Sequence, residues 1–98
     1  MAGLDLSGQV VIVTGANTGI GFHTARALAS AGARVIFACR DRSRGTAAVE
    51  RTITAHPHAA AEVGLLDLGS RQSIHDFTER LDTDSVDALV CNAGLFGG

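Results

Sequence analysis

Gly15, Gly19 and Gly21 follow the apolar run Val10-Val11-Ile12-Val13, within Thr14-Gly15-Ala16-Asn17-Thr18-Gly19-Ile20-Gly21. A strand that empties into a glycine turn and then a helix can hold a pyrophosphate. Glycines let the backbone turn tightly and come close to a ligand, and the free N–H groups of the helix start face the anion. The spacing G-x-x-x-G-x-G differs from the G-x-G-x-x-G of the commonest dinucleotide fingerprint. It also departs from the P-loop, because Phe22 stands where a nucleoside triphosphatase carries Lys. A ligand-free strand-to-helix turn is the alternative. Three glycines at the C-terminal edge of a sheet weigh against it.

Arg40 comes just after a second apolar run, where the 2′ group of an adenosine would arrive. An acid at this strand end accepts hydrogen bonds from a ribose 2′-hydroxyl, whereas Arg pairs with a 2′-phosphate through a charge-assisted fork. Cys39 occupies the strand-end slot, and Arg40, Arg42 and Arg44 surround it with positive charge. This favours NADP(H) over NAD(H). Asp41 counts against the preference, and Arg42 and Arg44 also fit a solvated helix start.

Other chemistries have little to stand on. His23, His56, His58 and His75 show no metal-ligand spacing, and no Cys is close enough in sequence to join them. The serines include no G-x-S-x-G elbow, which leaves a hydrolase without a nucleophile. Carbonyl reduction by hydride needs a proton donor at the substrate oxygen. Neither Tyr nor Lys occurs anywhere in the 98 residues, so no catalytic residue is assigned. The terminal Gly97-Gly98 resembles a conjugation tail but fits better as a loop after a fourth strand.

The elements that must position these residues alternate regularly. Gln9–Thr14 reads as a first strand, and Ile20, Thr24, Ala27, Leu28 and Ala31 then recur at helical spacing until Gly32. Arg34–Ala38 is a second strand. A second helix spans Arg42–Ala55, with Ala48, Val49, Thr52 and Ile53 on its inner face, and Pro57 breaks it. Glu62–Leu66 is a third strand. Ser70 fits the N-cap of a third helix that carries Ile74, Phe77 and Leu81 on one stripe. Ala88–Cys91 is a fourth strand, centrally buried. Strands apolar on both faces indicate a parallel sheet covered by helices. The βαβαβαβ pattern with right-handed crossovers gives an α/β, doubly wound, Rossmann-like sheet of about four strands in the order 3-2-1-4.

A length of 98 residues allows one domain, and 46% hydrophobic with 18% charged residues excludes a disordered chain. The net charge of −2 divides into +3 over residues 1–51 and −5 over residues 52–98. Neither half is basic enough for a nucleic-acid surface. Cys39 and Cys91 fall at the ends of two strands that flank a third. That separation of about 10 Å exceeds the roughly 7 Å limit for a disulfide. Both are expected as buried free thiols in a reducing, cytoplasmic setting. No apolar stretch approaches a membrane span, and residues 1–5 lack the basic start and apolar run of a secretory signal.

Thr14-Gly15-x-x-x-Gly19-Ile20-Gly21, Asp67-Leu68 and Asn92-Ala93-Gly94, in this order, resemble the short-chain dehydrogenases/reductases of the classical type. Gly15–Gly21 together with Ala38-Cys39-Arg40-Asp41 is most similar to the retinol-dehydrogenase-like branch, which includes the WW-domain-containing oxidoreductases. The resemblance covers only the N-terminal, cofactor-binding half of the family pattern. It implies that Gly15, Gly19, Ile20 and Gly21, with Asn17 and Thr18 between them, wrap the pyrophosphate. It also implies that Asp67 and Leu68 meet the adenine, and that Asn92, Ala93 and Gly94 line the adenosine ribose. Asp67 could instead cap the turn before Ser70, and Asn92 could be a structural hydrogen-bonder. The family's Tyr-x-x-x-Lys pair is absent from these residues.

Two functions remain open at this point. Residues 1–98 are expected to be an incomplete NAD(P)-binding domain of an oxidoreductase that moves hydride between nicotinamide and an alcohol or carbonyl. Alternatively the chain is a non-catalytic dinucleotide-binding or interaction module. In either case the open edge of the fourth strand is expected to favour self-association.

Overall fold

The computed structural model describes residues 5–17, 19–82 and 85–91. β-Branched runs give β1 (Val10–Thr14) and β2 (Arg34–Cys39), while β3 (Ala60–Leu65) and β4 (Ala88–Val90) are poorer in such residues. Between them lie α1 (Gly19–Ser30), α2 (Arg42–Ala55) and α3 (Arg71–Arg80). The strands form one parallel sheet in the order β3-β2-β1-β4, as the alternation of elements predicts. Register runs from Val10 opposite Arg34 to Thr14 opposite Ala38, and Ile12 lies opposite Leu89.

Alternation along each strand divides the core in two. On one face α1 and α2 cover Val11, Val13, Val35 and Phe37. On the other, α3 lays Phe77 and Leu81 against Ile12, Ile36 and Ala38. Ser70 caps α3 as expected, its hydroxyl accepting from the Ser73 N–H at 3.1 Å. Gly64 makes room for α3. A Cβ there would lie 2.6 Å from the Phe77 ring and 2.9 Å from Ile36.

Several sequence expectations shift. The strands run from Val10 rather than Gln9, to Cys39 rather than Ala38, over Ala60–Leu65 rather than Glu62–Leu66, and to Val90 rather than Cys91. The buried stripe of α1 is Gly21, Phe22, Ala25 and Ala29, while Ile20 is 71% exposed. Gly21, Ala25 and Ala29 bring the helix near the sheet, Phe22 is the one large side chain of the stripe, and Ile20 is turned outward. Ile53 and Ile74 are exposed, leaving Ala48, Val49 and Thr52 to bury α2, and Phe77 to bury α3. β4 is not centrally buried: Leu89 is 59% exposed at the sheet's edge, and Cys91 is an exposed rather than a buried thiol. It shares a sheet face with Ile12, and α3 sits over β3 and β2 instead.

Charged groups fasten the N-terminal end of the sheet. The Arg34 guanidinium bridges Glu62 at 2.5 Å and Asp82 at 2.6 Å, joining β2, β3 and the chain after α3. Asp87 accepts the Val10 N–H on its carboxylate at 2.7 Å and donates its own N–H to the Val10 carbonyl at 2.8 Å. The hydrogen bond and charge of Arg34 hold the Asp82 carboxyl below the usual carboxylate range. A depressed folded-state pKa stabilises the fold above the unfolded value and loses that contribution as pH falls through it. The urea midpoint should therefore drop as the pH falls below about 4. Asp82→Asn should remove part of that slope; an unchanged pH profile in Asp82→Asn would count against the pair's role.

Candidate functional site

The glycine turn has the form a phosphate-binding loop requires. Gly15 leaves β1 at φ +62°, and its N–H still donates to the Ala38 carbonyl of β2 at 2.9 Å. Gly19 opens α1 at φ +57°, a left-handed value that side chains with a Cβ resist. A Cβ on Gly19 would meet only open space, so this backbone is accessible from outside. Gly21 is the reverse case. A Cβ there would fall on the carbonyl oxygen of Gly15, so the first turn of α1 rests directly on the loop backbone. The α1 start is therefore accessible at Gly19 and leaves no room for a side chain at Gly21.

Arg40 lies exposed immediately past β2. Asp41, the acid that weakens a 2′-phosphate reading, is engaged by α2. It is the N-cap, its Oδ1 accepting from the Arg44 N–H at 3.1 Å, with the Arg44 Nε 3.9 Å from Oδ2. Cys39 is buried, its Sγ 3.7 Å from the Phe37 carbonyl oxygen. Burial, then the charge of Asp41, push its thiol pKa up, which keeps it protonated and unreactive.

Asp67 follows β3 and shapes the approach to α3. Its Oδ1 accepts from the Gly69 N–H at 2.9 Å, its carbonyl accepts from Ser70 N–H at 3.0 Å, and its own N–H donates to Ser73 Oγ at 2.7 Å. Asp67 thus caps the turn before Ser70. Leu68 beside it is 47% exposed. Gly15 N–H to Ala38 carbonyl and Leu66 N–H to Cys39 carbonyl stitch the three strand exits together. Gly15, Asn17, Gly19, Ile20, Gly21, Arg40, Asp67 and Leu68 therefore share the C-terminal edge of the sheet. Thr18, Asn92, Ala93 and Gly94 lie outside the described residues.

Sequence reasoning missed two supports of this edge. Gly45 lets α2 approach, since a Cβ there would overlap Cys39 Sγ and stand 3.0 Å from Val63. A lone Gly inside a helical pattern was the available signal. Phe22, which stands in the P-loop lysine position, is buried, with the Arg51 guanidinium 4.5 Å and that of Arg26 5.9 Å from its ring centroid. Arg26 follows Phe22 by four residues in α1, a spacing the sequence offered, whereas Arg51 comes from α2 and gave no local signal.

The family model for short chain dehydrogenase matches residues 9–98. The chain belongs to the short-chain dehydrogenase family. It is 48% identical to the WW domain-containing oxidoreductase of Gallus gallus over 99% of this chain and 24% of that relative. Among solved structures, menthone neomenthol reductase from Mentha piperita superposes with a TM-score of 0.82 at 39% identity. That match covers 91% of this chain and 32% of the reductase. A Pseudomonas aeruginosa RhlG/NADP active-site complex matches with a TM-score of 0.79 at 30% identity, over 93% of this chain and 36% of RhlG. The chain thus spans about a quarter of the curated relative's length, 24%.

The cradle separates two glycines by what substitution would do. Gly21→Ala forces a Cβ against backbone and should lower stability by about 3 kcal/mol. Gly19→Ala meets open space and should cost only the left-handed strain, about 1–2 kcal/mol. Urea denaturation of both variants checks the order; a more stable Gly21→Ala would show that α1 does not rest on Gly15.

Proposed function

We propose that this chain binds NADP(H) along the C-terminal edge of its sheet. It would serve as the cofactor-binding part of an oxidoreductase that moves hydride between nicotinamide and an alcohol or carbonyl. The observation that carries the reading is the seat of Gly21 on Gly15, with the open, left-handed Gly19 beside it. In this reading Gly15, Asn17, Thr18, Gly19, Ile20 and Gly21 wrap the pyrophosphate. Asp67 and Leu68 face the adenine, and Asn92, Ala93 and Gly94 the adenosine ribose. Arg40 takes the 2′-phosphate. Its exposure, the engagement of Asp41 in the α2 cap and the NADP complex of RhlG support that preference. Residues 1–98 are read as one incomplete NAD(P)-binding domain, in keeping with the 24% of the relative that they span. A reducing, cytoplasmic setting belongs to the same reading, supported by the free thiols of Cys39 and Cys91. Among the described residues no helix is long and apolar enough to cross a membrane.

Calorimetric titration tests the cofactor choice. NADPH should bind more tightly than NADH, and Arg40→Ala should remove most of the difference, about 1–3 kcal/mol for a charge-assisted contact. Equal affinities in the unaltered chain would refute the preference, and binding of neither nucleotide would refute the site.

A second reading, a non-catalytic dinucleotide-binding or interaction module, is favoured by one observation: these 98 residues hold no Tyr and no Lys. Without a positioned proton donor, hydride transfer loses about 10²–10⁴ in rate. The exposed Leu89 on the edge strand β4 also favours self-association. The purified chain should consume no NADPH with alcohols or carbonyls and should exceed monomer mass in light scattering. Turnover by a monomer would reverse both statements.

A further inference from the structure

The outer edge of β3 lies apart from the dinucleotide edge, and no function above uses it. β3 ends the sheet on the side opposite β4. The Leu66 N–H donates inward to the Cys39 carbonyl at 2.9 Å. Strand alternation therefore turns the N–H and C=O groups of Ala61, Val63 and Leu65 away from β2. Among the described residues no strand pairs with them. Exposed edges are commonly blunted by Lys, Pro or a bulge. Ala60–Leu65 has neither Lys nor Pro, its one charged side chain, Glu62, is paired with Arg34, and it keeps unbroken register with β2.

Beside this edge lies a cavity of about 170 Å³ whose apolar lining includes Ile36 and Phe77. Arg42, Arg34 and Arg80 also line it. Arg34 is committed to Glu62 and Asp82. Among the described residues no carboxylate lies within 4.0 Å of Arg42 or Arg80. The groove thus combines unpaired main-chain groups, an apolar lining and two uncommitted cations.

We propose that this edge accepts an extended, acidic peptide of another protein as a fifth strand. The peptide's main chain pairs with Ala61, Val63 and Leu65, and its carboxylates reach Arg42 and Arg80. Charge selects this occupant over a second copy of the chain. Antiparallel pairing of two β3 edges would bring Arg42 of each copy toward the other's Arg34 and Arg80, where both carboxylates already serve Arg34. Cation would meet cation. The 2′-phosphate is assigned to Arg40, Arg42 adds only general positive charge beside it, and Arg80 ends α3, so peptide affinity and NADPH affinity are read separately.

The probe is the acetylated, amidated peptide Asp-Val-Thr-Val-Thr-Asp, titrated into the 98-residue chain and followed by amide NMR. Saturable shifts should centre on Val63 and Leu65. The counterpart with Lys at both ends should bind at least about tenfold more weakly. Replacing both Thr by Pro, which removes ladder donors, should abolish binding. The Arg42→Ala/Arg80→Ala double variant should lose about tenfold in affinity, with circular dichroism confirming its fold. If that variant fails to fold, the Lys-ended peptide on the unaltered chain carries the same test. Absence of saturable shifts at Val63 and Leu65, equal binding of the Lys-ended peptide, or a dimer formed through β3 in place of peptide binding would overturn the proposal.

Discussion

The contact between Gly21 and the carbonyl of Gly15 sets the distance at which α1 can lie on the sheet. Dispersion falls off steeply with separation, so a helix held this close gains from every inward position if those positions are small enough to fit. Ala25 and Ala29 meet that condition and are fully or almost fully buried. The same closeness forces the loop through left-handed conformations at Gly15 and Gly19. The accessible backbone of the site is thus a consequence of how α1 packs. Loop shape and core packing cannot be altered independently.

Glycine sets the approach of the other helices as well. Gly45 brings the first turn of α2 down onto Cys39 and Val63, and Gly64 lets the Phe77 ring of α3 rest on β3. With four Phe and no Trp or Tyr, the chain has few large side chains to fill a wide gap between layers. Close approach is the alternative way to reach interior packing density. It also shapes the sheet's C-terminal edge, because the start of α2 follows Asp41, which follows directly on Arg40. Seating α2 through Gly45 turns Asp41 into a cap and leaves Arg40 in solvent.

Strand order, the bounds of α2 and the Ser70 cap were legible because each rests on a local signal: apolar runs, a Pro stop, a polar residue before a helix. The inward face of α1 was not. Periodicity weights the largest apolar residues, so it placed Ile20 inside, whereas the Gly21 contact turns Gly21, Phe22, Ala25 and Ala29 inward and Ile20 out. β4 reads as central because Ala88, Leu89 and Val90 are apolar, yet burial depends on what lies across the face, and α3 sits over β3 and β2. In the candidate site, the glycine spacing and Arg40 could be read directly. The engagement of Asp41 and Asp67 by backbone N–H groups could not, since either acid in sequence is equally a ligand group and a turn residue.

Those two carboxylates reveal how charge is divided along the sheet. At its N-terminal end, acids hold the fold together: Glu62 and Asp82 on Arg34, and Asp87 on the Val10 N–H. At its C-terminal end, Asp41 and Asp67 each accept from a backbone N–H at the start of a helix or turn. A carboxylate that satisfies such a donor is held beside the positive end of the helix, and Asp41 there faces Arg44, with 3.9 Å from its Oδ2 to Nε. Among the described residues no carboxylate lies within 4.0 Å of the Arg40 guanidinium, at the edge where α1 begins. Asp41, Glu62, Asp67, Asp82 and Asp87, among the acids that a composition count sets against the arginines, are engaged in these contacts. A chain of net charge −2 thus leaves Arg40 exposed at one edge of its sheet.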